Sequence, residues 1–596
     1  MKKMARKFDF SKYKFLTIPI LVSCLAFAGI LVKKRPTFIP ASLFFLKRRF
    51  FCAIIAFIWI FWSLYGINKY FLQHRSLFEF VKRLRTTVEN KASLILFIFI
   101  VLVLLWLRLL IFNNPYLYEY NQGNGAYYVQ VLHNLCSGVG PEQTTKASGA
   151  LYFHTNNYFF ASIFSTVPQI LPLLLLAPLY CVYPYPPMHV FAMVIVVVII
   201  GSFGIFLAIR ALGGSRFLSS LASMGYCLIV WVVSPILFHG AFDNLGFAVY
   251  PYVFTFLFLQ RWRLFYLSLL LLALISIPYT YSVMALGVMV ALFFKAPKQG
   301  IIAFLLGFLV MLWSMAVVRE SLCGILPENK SLSGISFEFL KKENITYLID
   351  AFKFHSLYIF CLLASLSFVP LLGIRKNKNW NLQVAGLLVF ILINAFMGLF
   401  RSYSWSFHRN ANFVVPAYLS AFMVYCSMGT PEKKRLIGYV LFSGLVSTIL
   451  CFSWHYPWAG FNVLKPSSDN PRYEQVLSKV KKFVPADASL SYRLEAGLEA
   501  YATNRQMAWP LGYHPEGAEY YIIQTKAIRY ITEDFPNWLG YLKNIEASKD
   551  FKLLYKDDML IIYKNLNPKP IPRLESVLDW NVLWRGMIPT SCKLRR

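Results

Sequence analysis

The chain has 596 residues, of which 58% are hydrophobic and only 14% charged, and its mean hydropathy is +0.54. The surface of a water-soluble globular protein could not accommodate this balance, so lipid must solvate most of the chain. The formal net charge of +32 does not indicate nucleic-acid binding, because the basic residues stand in short clusters between apolar runs. We therefore expect no nucleic-acid partner and interpret these clusters as signals of membrane topology.

Apolar runs long enough, or nearly long enough, to cross the hydrocarbon of a bilayer predict about thirteen transmembrane helices. They lie near residues 15–32, 50–68, 93–113, 188–210, 216–237, 247–259, 264–278, 279–295, 299–317, 355–374, 381–400, 412–428 and 433–454. Pro278 is either a break within one helix or the turn between two spans. The sequence predicts a polytopic α-helical membrane protein.

Clusters of Lys and Arg between these runs predict the orientation, since cytoplasmic loops carry an excess of positive charge. They are Arg210 with Arg216, Arg261 with Arg263, Lys295 with Lys298, the RKNK run from Arg375 and the KKR run from Lys433. All of these clusters are cytoplasmic if run 93–113 exits outward. The segments that are then extracytoplasmic are 114–158, 238–246, 318–354, 401–411 and everything after residue 454. Only the basic linker 33–49 departs from this rule.

Segment 159–183 is apolar but contains Pro168, Pro172 and Pro178. Proline inside a helix removes a backbone hydrogen bond, and the charge pattern requires both ends of this segment on the outer side. We expect interfacial or re-entrant helices here rather than a span.

The composition changes near Trp454, because residues 455–596 contain 15 of the 27 acidic residues. The pattern there predicts helices at 472–483 and near 494–502, strands at 488–492 and 519–525, and a hairpin of 551–555 with 559–563. The sequence thus predicts an N-terminal membrane segment with basic linkers at 1–92, a transmembrane domain at 93–454 and a soluble extracytoplasmic α/β domain at 455–596.

Signatures of metal sites and of soluble enzymes are missing from the sequence. The ten cysteines are scattered, mostly inside apolar runs, without a CxxC pair or a Cys/His spacing typical of zinc sites. We expect them to be small core residues rather than metal ligands or disulfides. The sequence also contains no phosphate-binding glycine loop, nucleophile elbow or HExxH motif.

Carboxylates on the outer side are the first candidates for chemistry, because ionisable groups near membrane depth are costly. Glu119 lies six residues past run 93–113 and could be a general base, a metal ligand or a solvated loop acid. Asp243 has His239 four residues before it. This pair could bind a metal or accept a substrate proton, or Asp243 could cap the helix that starts near Leu245.

Arg401, His408 and Arg409 form a basic and aromatic turn between two predicted spans on the outer side. Arginine and histidine side chains there could bind a lipid phosphate or pyrophosphate. The alternative is a positive loop that anchors lipid head groups, with Tyr403 and Trp405 in the interfacial belt.

Several motifs stand in a recognisable order. NGAYYVQVLHNLCSG (124–138) resembles the DLGIFDQALWN opening of the bacterial membrane-protein family called domain of unknown function 2079. LLLLAPLYCVYPYP (173–186) resembles that family's apolar segment ending in APLY, and FDNLGFAVYP (242–251) its FDFHPE-type loop. FHRNANFVVPAYL (407–419) is similar to its His-containing loop, and VPADASLSYRLEAGLEAYATNRQMAWP (484–510) to its IPADASV segment.

The resemblance spans roughly residues 115–565 and implies a GT-C-like layout. Enzymes of that class are polytopic, take a sugar from a polyprenyl-phosphate donor, and use an acidic residue of the first large outer loop as base or metal ligand. Of the family's acidic positions, only Asp243 is retained in this sequence. The family's two opening aspartates fall on Asn124 and Val129, its HPE on Leu245, Gly246 and Phe247, and its KED triplet near Pro278, Tyr279 and Thr280.

Two functions from different classes follow. The first is a glycosyltransferase-like membrane protein with its site between loops 114–158 and 238–246, in which Glu119 or Asp243 is the base and Arg401, His408 or Arg409 neutralises the donor phosphate. His239 would be a further substrate contact, and a divalent metal is an open alternative partner of the acids. The second is a non-catalytic scaffold or a transporter of lipid-linked material. Both place the chain in the bacterial cytoplasmic membrane.

Overall fold

The computed structural model describes residues 52–66, 87, 89–115, 124–138, 142–143, 161–162, 170–239, 242–321, 356, 358–372, 380–399, 411–452, 455–456, 461–462, 470–511, 517–526 and 538–569. These residues are mostly helical, and most of the helices pack around one large apolar core. A five-stranded sheet near the C-terminus has a separate apolar cluster on each of its two faces.

Helices make up almost all of the described chain before the sheet. The first are α1 (Cys52–Gly66), α2 (Ala92–Asn113), α3 (Asn124–Cys136), α4 (Ile170–Val182), α5 (Pro186–Val196), α6 (Ser202–Ala211), α7 (Arg216–Leu228) and α8 (Val230–His239). A π-helical turn (Val197–Gly201) joins α5 to α6, and a 3-10 turn (Phe242–Leu245) follows α8. The next are α9 (Gly246–Phe258), α10 (Trp262–Ala273), α11 (Ile277–Phe293), α12 (Pro297–Ser321), α13 (358–365), α14 (Val369–Leu372), α15 (Trp380–Leu399), α16 (Ala411–Ser427) and α17 (Pro431–Phe452).

Helices occupy the predicted spans from run 50–68 onward, although most are shorter than a span requires. Within the described residues, three helices are long and apolar enough to cross a membrane: Ala92–Asn113, Pro186–Ala211 and Pro431–Cys451. A fourth candidate is the pair Arg216–Leu228 and Val230–Leu237, which is bent by 52°. The count of thirteen is therefore still a prediction, and run 15–32 lies outside the described residues.

The structure decides between the two alternatives for Pro278. Helix α10 ends at Ala273, and α11 begins at Ile277 with a proline in its first turn. Proline is favoured there because the first backbone N–H groups of a helix have no partner within it. Pro278 thus starts a new helix after a turn and does not break one.

Close packing of α6 and α9 depends on two glycines of the long Pro186–Ala211 helix. A Cβ on Gly201 would lie 2.7 Å from the Phe247 carbonyl oxygen, and one on Gly204 would lie 2.7 Å from Pro251 Cβ. Both distances are shorter than van der Waals contact. Small residues at these positions let two backbones approach closely, as is common between helices in membranes.

Helix α2 separates two ends of the molecule. At its start, the Ser220 hydroxyl of α7 donates to the Ala92 carbonyl at 3.1 Å. At its end, Asn470 Nδ2 donates to the Asn113 carbonyl at 3.1 Å, and Asn470 begins the first helix of the sheet region. Because 22 helical residues rise about 33 Å, the start of α7 and the sheet lie at opposite ends of the bundle.

The C-terminal sheet is mixed, with strand order β6-β5-β7-β9-β8. Its strands are β5 (Leu490–Arg493), β6 (Ala508–Pro510), β7 (Tyr520–Gln524), β8 (Phe551–Lys556) and β9 (Leu560–Asn565), and its helices are α18 (Asn470–Phe483), α19 (Ala496–Ala502) and α20 (Trp538–Ala547). The pairs β5–β6 and β5–β7 are parallel, whereas β9 is antiparallel to both β7 and β8. Each element predicted between 472 and 563 is present within about two residues, while β6 and α20 were not predicted.

Four very short strands lie outside this sheet. They are β1 (Glu142–Gln143) paired with β2 (Ala161–Ser162), and β3 (His455–Tyr456) paired with β4 (Phe461–Asn462). Segment 159–183 thus contains one strand and the 13-residue helix α4, which encloses Pro178. A helix of about 20 Å is too short to cross the hydrocarbon. Its interfacial position is still a prediction.

Candidate functional site

The two loops predicted to form the site contact each other. Tyr128 of α3 packs on Phe242 of the 3-10 turn, with ring centroids 3.9 Å apart. His189 of α5 lies 5.8 Å from the Tyr128 ring and 5.9 Å from the Phe242 ring. All three side chains are buried. This aromatic contact fixes the turn that carries Asp243 against α3.

Asp243 lies within this turn and is only 5% exposed. The Tyr279 hydroxyl of α11 donates to the Asp243 carbonyl at 2.5 Å, and Asn244 Nδ2 donates to the Pro235 carbonyl at 2.9 Å. Helix α9 has Leu245 at its N-cap, so Asp243 precedes the cap and is not the capping residue itself. The turn is therefore held from α8 and from α11.

Gly246 is required at the start of α9. A Cβ there would lie 2.2 Å from the Tyr279 hydroxyl oxygen and 3.0 Å from Ala411 Cβ of α16. Neither atom can move away easily, because the Tyr279 and Ala411 side chains are both buried. The absence of a side chain at this position lets α11 and α16 close on the Asp243 turn.

Buried neutral residues adjoin this turn. Leu245, Gly246 and Phe247 follow Asn244, and Tyr279 donates to the Asp243 carbonyl. All are buried, as is Val129 of α3. The side chains next to Asp243 in the chain and at Tyr279 are therefore neutral.

A neutral polar network lies next to this turn in the bundle. Ser282 of α11 donates to Asn394 Oδ1 of α15, and Asn412 Nδ2 of α16 donates to the same oxygen at 3.1 Å. Asn394 Nδ2 donates to the Phe390 carbonyl at 2.8 Å. These side chains are almost fully buried, and interhelical hydrogen bonds of this kind stabilise helix pairs in membranes. The network fixes the point where predicted loop 401–411 enters α16.

The C-terminal region covers α3 from the other side. The Gln506 carbonyl accepts hydrogen bonds from Gln130 Nε2 at 3.0 Å and from Asn134 Nδ2 at 3.3 Å. The Tyr501 hydroxyl of α19 donates to the Pro115 carbonyl at 3.0 Å. Amide side chains of α3 therefore bind the loop between α19 and β6.

A second set of bonds holds the same loop to α4. The Tyr180 hydroxyl donates to Asn504 Oδ1 at 3.0 Å, and Asn504 Nδ2 donates to the Pro184 carbonyl at 3.1 Å. The Tyr185 ring packs edge-on against Tyr501 at 5.5 Å. The residues 501–506 thus form a contact with α3 and α4 together, which we call the docking loop.

Cys136 and Cys181 form a disulfide, with their Cα atoms 5.3 Å apart. The expectation that the cysteines are core residues and not disulfides is wrong for this pair. The bond joins the C-terminal end of α3 to the C-terminal end of α4, next to the docking loop. Both cysteines lie at helix ends outside the main spans. The sequence did not indicate this position for Cys181, because apolar residues flank it.

His133 of α3 has a lowered pKa at this contact. Burial is the main cause, a hydrogen bond with Asn504 acts in the opposite direction, and the positive charge of Arg505 lowers the pKa further. Arg505 is itself buried, and its guanidinium donates to the Ala488 and Ala502 carbonyls at 2.9 Å. The neutral form of His133 is therefore the stable one in the docked structure.

The structure places only some of the predicted site residues. Asp243 lies at the contact between α3 and the turn, and His239 ends α8, although its side chain is not among those described. The remaining candidates lie outside the described residues: Glu119, Arg401, His408 and Arg409. Across the described ranges, no three His, Cys, Asp or Glu side chains stand close enough to hold a metal ion.

Solved structures of ArnT from Cupriavidus metallidurans are similar to this chain over much of its length. The structure bound to undecaprenyl phosphate has 10% sequence identity, covers 79% of this chain and 99% of the ArnT chain, and gives a TM-score of 0.45. The apo structure has 9% identity, the same coverage and a TM-score of 0.44. No family model and no curated protein matches the sequence. Likenesses at this level do not identify a substrate.

Proposed function

We propose that this chain is a glycosyltransferase-like integral membrane protein of GT-C layout, which transfers a sugar from a polyprenyl-phosphate donor at the outer face of the cytoplasmic membrane. The observation that carries the proposal is the position of Asp243. This carboxylate is buried in the turn before α9, which contacts α3, α5 and α11. A carboxylate in a water-poor site is costly, and such groups are usually retained for function.

The orientation is supported by charge and by the disulfide. The turns with Arg210, Arg261 and Lys295 follow helices that run away from the Asp243 end, and positive charge favours the cytoplasm. Disulfides persist in oxidising compartments, and Cys136–Cys181 lies at the opposite end, beside the docking loop. The Asp243 site and the sheet would therefore face outward.

The proposed reaction uses Asp243 as a general base. An acceptor hydroxyl transfers its proton to the carboxylate while its oxygen bonds to the anomeric carbon of the sugar. The bond between that carbon and the phosphate oxygen breaks, and the polyprenyl phosphate leaves with the electron pair. Glu119 is the rival base, and Arg401, His408 and Arg409 would neutralise the phosphate, with His239 as a substrate contact.

A non-catalytic scaffold is the second candidate. Neutral residues replace the acidic motifs of the family, and Val129, Phe247 and Tyr279 are buried in apolar packing. The docking loop also holds the sheet against α3 and α4 by several hydrogen bonds, as a protein that presents a binding domain would require. An envelope-facing partner of the sheet would then be the functional ligand.

The test is direct transfer by the full chain in proteoliposomes. Polyprenyl-phosphate sugars with a radiolabelled sugar are supplied, and free polyprenyl phosphate and labelled acceptor are measured. Time-dependent release of polyprenyl phosphate supports the enzyme. Absence of turnover with every donor, together with an envelope phenotype that is lost only when residues 455–596 are deleted, supports the scaffold.

A further inference from the structure

A cavity of about 610 Å³ lies at the end of the bundle opposite Asp243. It is formed where α9 ends, whereas Asp243 precedes the start of the same helix. The residues that line it come from four turns or helix ends: Ala211, Leu257, Phe258, Gln260, Trp262, Phe294, Lys295, Ala296, Pro297, Lys298, Gln299 and Gln383. The cavity is therefore lined by the turns near Arg210, Arg261 and Lys295. The helix that follows Arg375 in the chain, α15, also lines it through Gln383.

The charge of this lining has one sign. Among the described residues, Lys295 and Lys298 are its only ionisable side chains, and no acidic residue lines the cavity. Gln260, Gln299 and Gln383 add amide groups that can donate hydrogen bonds. Two ammonium groups can neutralise the negative charge of a phosphate, and the amide groups can donate hydrogen bonds to its oxygen atoms. In purely apolar surroundings that charge would have no compensation.

The backbone provides a further feature that favours anions. Pro297, Lys298 and Gln299 form the first turn of α12, which is 25 residues long. The first N–H groups of a helix have no partner within it, and the macrodipole makes this end positive. A phosphate in the cavity would lie beside this helix start, which is a common anion site in proteins.

Two residues of the lining have a conformation that is rare outside glycine. Gln260 has φ +54° and Lys295 has φ +52°, and these two belong to different turns. Each residue directly follows the C-cap of a helix, Gln260 after α9 and Lys295 after α11, and the left-handed conformation commonly ends a helix at this position. Both helix ends line the same cavity.

Apolar residues complete the lining. Leu257, Phe258 and Phe294 line one part of the cavity, and Trp262 lines it together with the lysines. Indole and phenyl rings are typical of the zone where lipid head groups meet hydrocarbon. Basic pockets between transmembrane helices on the cytoplasmic side are known to bind anionic head groups.

We propose that this cavity is a binding site for a phosphate-bearing ligand on the face of the bundle opposite Asp243. Lys295, Lys298 and the first turn of α12 bind the phosphate, and the glutamine amides surround it. The ligand is either the head group of an anionic lipid or a soluble phosphate compound. If Lys295 and Lys298 served only to orient the helices in the membrane, their positive charge would be sufficient and no cavity would be needed.

The experiment measures lipid adducts of the full chain by native mass spectrometry in detergent, with phosphatidylglycerol and phosphatidylcholine as probes. We expect the double variant Lys295→Gln and Lys298→Gln to bind phosphatidylglycerol at least about tenfold more weakly than wild type, with phosphatidylcholine unchanged. The matched control is Lys433→Gln with Lys434→Gln, which removes the same charge from a basic cluster that does not line the cavity. It should bind like wild type.

A charge-conserving pair, Lys295→Arg with Lys298→Arg, separates binding from failure to fold and should keep most of the affinity. Competition by millimolar inorganic phosphate or pyrophosphate identifies a soluble phosphate compound as the ligand, and its absence identifies the lipid. Equal phosphatidylglycerol binding by wild type and the glutamine pair would overturn the proposal. Equal losses in the cavity pair and the control pair would also overturn it, because they show charge attraction without a site.

Discussion

Tyr279 donates its hydroxyl to the backbone carbonyl of Asp243, which stands 36 residues earlier in the chain. The bond links α11 to the turn between α8 and α9, and the Tyr250 ring packs edge-on against Tyr279 at 5.6 Å. The sequence contains no sign of this pairing. The hydrogen bond from Tyr279 helps to determine where Asp243 lies, which is the only carboxylate of the candidate site among the described residues.

Tyr279→Phe tests this bond, because it removes the hydroxyl donor from a buried carbonyl. We expect a loss of about 1 to 3 kcal/mol in unfolding free energy and a more accessible Asp243. The measurement is denaturant unfolding in mixed micelles, followed by sugar-transfer assays. Tyr418→Phe is the matched control, since the Tyr418 hydroxyl donates to the buried Ala222 carbonyl of α7 and not to the turn. It should lower stability similarly while leaving turnover unchanged.

Gly246→Ala should destabilise the bundle, because its Cβ would lie 2.2 Å from the Tyr279 oxygen. Overpacking of this kind typically costs about 1 to 3 kcal/mol. The double variant Gly246→Ala with Tyr279→Phe should lose less than the sum of the single variants, since it removes the clashing oxygen. Gly66→Ala is the control, because no described atom lies within 4 Å of its added carbon. Additive losses in the double variant would contradict a clash with the hydroxyl oxygen, because the Tyr279 ring carbon Cζ, 2.6 Å from the added carbon, remains in both variants.

The disulfide predicts that Cys136 and Cys181 face an oxidising compartment. In intact cells, a membrane-impermeant phosphine followed by an impermeant maleimide should label both cysteines, and should label neither without the phosphine. The double variant Cys136→Ser with Cys181→Ser sets the background from other cysteines. Labelling only after the membrane is opened would reverse the proposed orientation. It would also place the Asp243 site in the cytoplasm.

The lowered pKa of His133 predicts pH-dependent docking. Above about pH 6.5 the histidine is neutral in both the docked and the released state, so stability is insensitive to pH. Below that value the released state binds a proton more readily than the buried one, and docking weakens as pH falls. Hydrogen exchange of residues 501–506 should therefore become less protected between about pH 7.5 and pH 5, after correction for the intrinsic exchange rate. His133→Asn should flatten this dependence, and an unchanged slope would exclude His133 as its source.

Most helices and strands could be predicted from the sequence, because the spacing of apolar residues and the length of apolar runs are local properties of the chain. The helix pattern placed α2 and α17 within two residues of their predicted bounds, and the sheet elements around Leu490 and Tyr520 likewise. The Cys136–Cys181 bond could not be predicted, because it depends on how two helices whose cysteines are 45 residues apart meet. The docking loop was missed for the same reason. Its bonds run mainly to backbone carbonyls, which carry no sequence signal.

The candidate site was predicted only in part. The sequence singled out Asp243 because acids are rare in the outer loops, and the structure buries it against α3. Its contact with Tyr279 and the need for Gly246 arise from packing of distant helices. The motif resemblance gave no account of which neutral side chain would bond to which backbone group.

Whether Asp243 is the general base of sugar transfer is tested most directly by the turnover of Asp243→Asn in proteoliposomes. Glu119→Gln and the double variant are measured beside it. We expect Asp243→Asn, or Glu119→Gln as the rival base, to lower turnover at least about a hundredfold while the protein stays folded and inserted. Asp558→Asn is the matched control, since that side chain is 72% exposed in the sheet region. Wild-type turnover in both single variants and in their combination would contradict the proposed mechanism.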